Sequence, residues 1–511
     1  MAQKTAPPKP PVNQLQKPTV DIVDTSAPPT RTDLPESPLT ELSSDVEDHV
    51  TSNSVYCQFA ALAESAPKAA DPPKNLNDTF NGPDATQWKA ALDEELASLA
   101  EKKVFKVVPR PKNAKVVGVR PVVRIKVNAD GGIERYKFRL VAQGYNQKKG
   151  VDYKESYYPT LGMDVVRVIA DIAAEDDLEL HQLDVSTAYL NGELEEEVYV
   201  MPPDGVDCPP GHVWALDRAL YGLPQSGYVW NVTLHNALVK IGFVRISSEH
   251  CIYLYRDKNG RVCFLAIYDD DLLFAAKGLK FTEKMKRTLR RLFKMHDLGE
   301  ARHLLGVEII RDRTKRTISL SQQRYITKML EKCGLKDCKP VAVPMDPSLV
   351  LSSAQCPEYG SDEWREMQDK PYKNIVGSLM YAMVATGPDI CYAVGALARY
   401  SANPGRVHWV AAKRILRYLR GTRDLALTFS PARKRENALV FYGYSDSSWS
   451  GDVDTSRSTS GYAFMMGGGA ISWSSKLEGL VALSSTEAKY IGLSNAAQQI
   501  PGGESTGTMG C

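Results

Sequence analysis

The amino-acid sequence predicts a mixed α/β fold of the α+β kind, and three patterns carry that expectation. An apolar run from Cys263 to Ile267, the acidic triplet Asp269-Asp270-Asp271 and the apolar return from Leu272 to Ala276 read as a buried hairpin. Two β-rich runs flank Asp130-Gly131-Gly132, a second hairpin signal. Helical spacing recurs around them, in Trp88, Leu92, Leu96 and Leu99 and again in Phe281, Met285, Leu289, Leu292 and Phe293.

A chain of 511 residues can form several domains. Its 43% hydrophobic and 24% charged content is that of an ordinary soluble globular protein. No apolar run approaches the roughly 18 residues of a membrane span, and the opening "MAQKTAPPKPP" lacks the apolar centre of a signal peptide. Neither a membrane partner nor secretion is expected. The nine cysteines are scattered, and only Cys333 and Cys338 lie close, without zinc spacing. Reduced thiols in an intracellular compartment follow. Residues 1–80 hold six basic and eleven acidic side chains against a net charge of +2 for the whole. The body is therefore basic, which suits a polyanionic partner.

From Met1 to about Asn75 the sequence is rich in Pro, Ser and Thr and lacks apolar periodicity, the composition of a disordered linker. Asp84 is placed to cap the helix that carries Trp88. The basic hairpin that follows bears Arg120, Arg124, Lys126, Arg135, Lys137 and Arg139. Alternate strand residues share a face, so Arg135, Lys137 and Arg139 can present cations to one phosphate chain, although solvated strand charges are the ordinary outcome. Tyr153 to Ala174 reads as helical. "LELHQLDVSTAYLNG" then enters a strand with Asp184 at its end, where a lone Asp is usually a turn former. The acidic hairpin changes that balance: two strands of one sheet can bring Asp184 beside Asp270 as a two-metal clamp. Three adjacent carboxylates repel one another unless cations sit between them, and a hard divalent ion such as magnesium is the natural one.

Gly222, Pro224 and Gly227 mark a loop that holds Gln225, before a helix with Leu234, Leu238 and Ile241. The helix after the acidic hairpin carries Lys284, Lys286, Arg287, Arg290, Arg291 and Lys294 around its apolar face. Such faces usually lie in water, and here this one can also track a phosphate backbone. A later helix places Lys413, Arg414, Arg417 and Arg420 together, with the same two readings.

The ordered series "RYKFRLVAQGYNQKKGVDY", "ELHQLDVSTAYLNGELEEEVYV", "ALYGLPQSG", "LAIYDDDLLFAA", "LGEARHLLGVEI" and "YKNIVGSLMYA" closely resembles the reverse transcriptase of copia-type long-terminal-repeat retrotransposons, over about residues 80–500. The resemblance implies a right-hand polymerase with fingers, palm and thumb, followed by a connection and an incomplete RNase H-like domain. It assigns residues 1–80 to the linker, 81–330 to fingers and palm, 331–435 to thumb and connection, 436–500 to the RNase H-like remnant and 501–511 to a disordered tail. It implies transfer of deoxynucleotides to a primer on an RNA or DNA template, with two Mg2+ ions held by Asp184, Asp270 and Asp271, of which Asp184 and Asp270 are the direct ligands. Tyr189 resembles the aromatic gate that excludes a ribose 2′-hydroxyl, Gln225 a residue lining the nucleotide pocket, and Lys137 and Arg139 the cations on the triphosphate. Implied partners are template with primer, dNTPs, and further copies or other retroelement proteins, in a cytoplasmic particle or the nucleus.

Two departures stand out. The family has an apolar residue where this chain has Asp269, and an added carboxylate there would repel phosphates or misplace a metal. Asp269→Val is accordingly expected to raise polymerase activity. Asp446 and Glu487 resemble two RNase H metal-binding acids, yet Ser484-x-x-Glu487 is also a capping-box pattern. After Gln499 the sequence turns polar and glycine-rich where the family continues to another catalytic Asp, so little RNase H activity is expected. A catalytically dead relic that binds nucleic acid shares every motif. A magnesium phosphatase or nuclease explains neither the Gln225 loop nor the finger cations.

Overall fold

The structure, a computed structural model, describes residues 76–127, 132–203, 206, 208–431 and 441–499. Residues 1–75 of the linker assigned to 1–80, the hairpin tip at Asp130-Gly131 and the tail after Gln499 lie outside them, while the last residues of that linker assignment belong to the helix Leu76–Asn81.

With strands numbered along the chain, the first sheet runs β1 (Phe105–Pro109), β6 (His212–Arg218), β5 (Glu193–Met201), β2 (Val116–Val127), β3 (Ile133–Ala142). The long β2–β3 ribbon is the basic hairpin, with Lys137 opposite Arg124 and Arg139 opposite Val122. Helix Ala85–Glu101 packs on this sheet through Trp88, Leu92 and Leu99. Asp84 stands at its N-cap position without a side-chain cap bond, because its carboxylate accepts the Tyr136 hydroxyl of β3 instead.

The second sheet, β11 (Met295–Glu300), β4 (Glu179–Val185), β10 (Asp271–Ala276), β9 (Val262–Tyr268), β8 (Ile252–Arg256), β7 (Val244–Arg245), holds the acidic hairpin at its centre. Strand alternation divides its side chains between two cores. Leu183, Val185, Leu272 and Phe274 meet Trp230, Leu234 and Leu238 of helix Ser226–Lys240 and Phe281, Met285 and Leu289 of helix Leu279–Arg290. Leu180, Leu273 and Ala275 face Val166, Ile169, Ala170 and Ala173 of helix Met163–Glu175. That helix starts ten residues later than the expectation from Tyr153. Pro159 lacks an amide proton, and Gly162 is extended at ψ 154°, so the chain reaches Met163 as a loop.

A third sheet, β12 (His303–Leu304), β13 (Val307–Asp312), β14 (Thr317–Ser321), β15 (Leu427–Phe429), joins segments a hundred residues apart. Helices Tyr372–Ala385, Cys391–Ala398 and Arg406–Thr422 complete its side of the core. The last sheet, β16 (Tyr442–Ser448), β17 (Thr459–Met466), β18 (Gly469–Leu477), carries helix Ser485–Gln498. Its Phe464, Met466 and Ile471 enter the same apolar core as helix 163–175. Buried Arg167 fastens that junction: its Nε donates to Ile471 O at 2.6 Å, its Nη1 to Val384 O at 2.8 Å and Ala385 O at 3.0 Å, and its guanidinium lies 4.0 Å from the Trp473 ring centroid.

Two basic faces read from the sequence are partly spent inside the protein. Lys286 is 2% exposed, and its ammonium donates to Asp297 at 2.7 Å, Glu283 at 2.9 Å and His181 Nδ1 at 3.1 Å. Arg414 pairs with Asp346 at 3.5 Å, and Arg417 and Arg420 donate to the carbonyls of Lys339 and Lys336. These arginines staple the loop at 336–346 to helix 406–422. The fork of guanidinium donors suits that task better than contact at a distance.

Candidate active site

The β9–β10 turn decides the geometry. Tyr268 pairs with Asp271 across it, leaving Asp269 and Asp270 as a two-residue loop. Asp269 takes φ +51°, a left-handed conformation that Asp tolerates and β-branched residues enter at a cost of about 1–2 kcal/mol. A valine at this position therefore changes charge and backbone strain together. The turn is held from two sides. Val185 N donates to Asp270 O at 2.8 Å, and Trp230 Nε1 donates to Asp269 O at 2.8 Å.

Asp184 lies directly opposite Asp271 in the β4–β10 register, one residue from Asp270. Burial raises the Asp270 pKa above the usual carboxylate range, and repulsion from Asp184 adds to it. The fields of Arg139 and Lys137 act in the other direction on the same carboxyl. Strand β4 and the basic ribbon thus act on one carboxyl. Asp271 is engaged differently: its Oδ1 accepts Gln182 Nε2 at 2.9 Å. Among the described residues no group of three or more His, Cys, Asp or Glu is gathered to hold a metal ion.

Three tyrosines line the space beside these acids. Tyr221 stacks under Arg139, whose guanidinium carbon is 4.3 Å from its ring centroid, and lies 5.2 Å from the ring of Tyr189. Burial pushes its hydroxyl up to about 12, a rise that Arg139 opposes. Tyr189 is raised further still, by burial first and then by the field of Asp269. Tyr158, on the loop before helix 163–175, acts on both groups: its hydroxyl raises Tyr189 and lowers the Asp269 carboxyl. Burial lifts Asp269 to about 6 against that lowering effect.

Gln225 is 1% exposed at the head of helix 226–240, and both polar atoms of its amide lack a partner. Ser186 Oγ, Tyr221 Oη and Asp269 Oδ1 share that condition. An unsatisfied buried polar atom costs about 1–3 kcal/mol, so each of these groups is poised to take a polar partner. Sequence reasoning singled out Gln225 and Tyr189 but missed Tyr158 and Tyr221. Tyr221 sits inside the quoted "ALYGLPQSG"; Tyr158 belongs to an irregular loop where the sequence reads as helix.

The two acids read from the C-terminal region lie apart from this cleft. Exposed Asp446 pairs with Lys489 at 3.5 Å, and the Ser447 amide first and then Lys489 hold its carboxyl below the usual range. Glu487 serves the helix start: Ser484 Oγ accepts Glu487 N at 3.1 Å, and the Glu487 carboxylate accepts Leu483 N at 2.7 Å.

The family model described as reverse transcriptase (RNA-dependent DNA polymerase) matches residues 102–347. A putative transposon Ty5-1 protein of Saccharomyces cerevisiae is 35% identical over 322 residues, covering 62% of this chain and 100% of that protein. The chain belongs to the reverse transcriptases of copia-type retrotransposon Pol polyproteins. Within this family, the retrovirus-related Pol polyprotein from transposon TNT 1-94 of Nicotiana tabacum is 40% identical over 430 residues, covering 84% of this chain and 32% of that protein. The chain thus spans between about a quarter and a third of the length of such Pol relatives. A solved structure of the foamy viral protease-reverse transcriptase in complex with double-stranded DNA covers 85% of this chain and 63% of its own, at 13% identity and TM-score 0.46. Among the described residues no helix is long and apolar enough to cross a membrane.

Proposed function

We propose that this chain is an RNA-directed DNA polymerase that adds deoxynucleotides to a primer 3′-hydroxyl on an RNA or DNA template. The observation that carries the reading is the meeting of Asp184 and Asp270 in one sheet, within the fields of Lys137 and Arg139. The mutual repulsion of Asp184 and Asp270 fits a hard divalent cation, whose remaining positions come from substrate phosphates and water. Two Mg2+ ions there would supply activation of the 3′-hydroxyl and charge neutralisation on the leaving pyrophosphate. Asp184 and Asp270 are the residues to hold them, while Asp271 stays on Gln182 until the site fills. Lys137 and Arg139 orient the triphosphate, with Arg139 kept in place by stacking on Tyr221. Gln225 offers its amide to the bound nucleotide, and the Tyr189 ring closes the side where a ribose 2′-hydroxyl would stand.

In this reading the fingers and palm span residues 81–330, the thumb and connection 331–435, and an RNase H-like region 436–500. Glu487 is committed to its helix start and Asp446 to Lys489, so we expect this preparation to leave an RNA–DNA hybrid uncut. The relic reading, a nucleic-acid binder without chemistry, draws on the lack of a third gathered metal ligand among the described residues. Primer extension on poly(rA)–oligo(dT) with magnesium separates the two. Extension by the wild type that Asp270→Asn abolishes supports the polymerase; hybrid binding without extension supports the relic.

A further inference from the structure

We infer that Tyr221 is a further triphosphate-binding residue, its buried hydroxyl donating to a phosphate oxygen that the Arg139 guanidinium also holds. The inference rests on the polymerase reading and adds one ligand to the site that reading describes.

Burial alternates along β3. Phe138 and Leu140 enter the core beneath helix 85–101, so Arg139 stands on the opposite face of the strand with Lys137. There its guanidinium carbon lies 4.3 Å from the Tyr221 ring centroid. Stacking occupies the flat face of a guanidinium, while its N–H donors lie in the plane and stay available to phosphate oxygens. The platform beneath it is fixed to the same strand. Ala142 N, at the end of β3, donates to Tyr221 O at 2.7 Å, and Gly222, at φ +90°, sits so close that a Cβ there would overlap the Ala142 carbonyl oxygen. For stacking alone a phenylalanine would serve. Tyr221 carries in addition a hydroxyl without a partner, on a side chain whose residue is 9% exposed. Such an atom destabilises the empty protein. A phenol has one proton to donate and an ionised phosphate oxygen only accepts, so a triphosphate seated on Arg139 brings what the hydroxyl lacks.

The test measures equilibrium binding of dTTP and of inorganic tripolyphosphate, each with magnesium, to the protein on a dideoxy-terminated primer–template, where no chemistry occurs. Tyr221→Phe keeps the ring and should weaken both ligands about tenfold, the scale of one hydrogen bond to a charged acceptor. In single-nucleotide extension it should raise the KM for dTTP more than it lowers kcat. Its Tm should match or exceed that of the wild type, because the folded protein loses only an unpaired atom. Tyr221→Leu removes the platform as well and should weaken both ligands further. Wild-type affinity in Tyr221→Phe, a loss for dTTP without one for tripolyphosphate, or a Tm several degrees lower would each overturn the inference. So would a wild type that binds neither ligand. A wild type that binds both without extending a primer refutes the polymerase reading alone, and the affinities of Tyr221→Phe then decide on the hydroxyl.

Discussion

Asp171 offers a stringent test of how the C-terminal sheet docks on helix 163–175. It is 1% exposed on helix 163–175, both carboxyl oxygens lack a partner, and it abuts the turn between β17 and β18 at Gly467, whose φ is +54°. Burial, with a smaller contribution from the nearby Glu175 charge, raises its pKa from 3.8 to about 7. For an acid raised in this way the folded state disfavours ionisation. The penalty is absent below the unfolded value, grows from about pH 4 as the unfolded chain ionises, and is complete above about pH 7. At about 1.4 kcal/mol per unit, it amounts to about 2 kcal/mol at pH 5 and about 4 kcal/mol at pH 8. Asp171→Asn keeps the shape, and its own unpaired amide costs the same at every pH. The stability of the variant relative to the wild type should therefore rise by roughly 2 to 3 kcal/mol between pH 5 and pH 8. With an unfolding entropy near 2.1 cal/mol/K per residue, that is a relative Tm change of about 2–3 °C. Calorimetry at the two pH values measures it. A gap between variant and wild type that does not change with pH would refute the assignment of a buried, unpaired carboxyl at this junction.

Two further substitutions follow from the polar accounting. Gln225→Met removes an amide that has no partner in the folded protein, so Tm should hold or rise slightly, while the KM for dNTP in primer extension rises about tenfold. A large fall in Tm would show that the amide is satisfied internally. Lys286→Met leaves Asp297 and Glu283 without their cation and should cost about 2–4 kcal/mol in urea unfolding. Adding Asp297→Leu should recover most of that loss, and a double variant as unstable as the single one would argue against a closed charge network.

The parts of this molecule that the sequence makes legible are those whose information is local. The apolar runs on either side of Asp269-Asp270-Asp271 announce a hairpin, and the alternation around Asp184 places its carboxylate at a strand end. Their meeting in one sheet needs only the further step of pairing β4 with β10. Other features resist that kind of reading because their partners lie hundreds of residues away. Arg167 and Asp171 look like solvent-facing members of an amphipathic helix until β18 and the Gly467 turn arrive to bury them. Lys286 sits among basic neighbours that do face water, and nothing in its spacing reveals that β4 and β11 will enclose it. Tyr158 lies in a stretch read as helix, yet it belongs to an irregular loop that lets its ring pack against Gly227 in helix 226–240. The same logic accounts for Asp269. Taken alone, a third acid in the turn is an electrostatic fault. With Trp230 Nε1 on its carbonyl its backbone has an anchor, and the Tyr158 hydroxyl opposes part of the cost of burying its carboxyl.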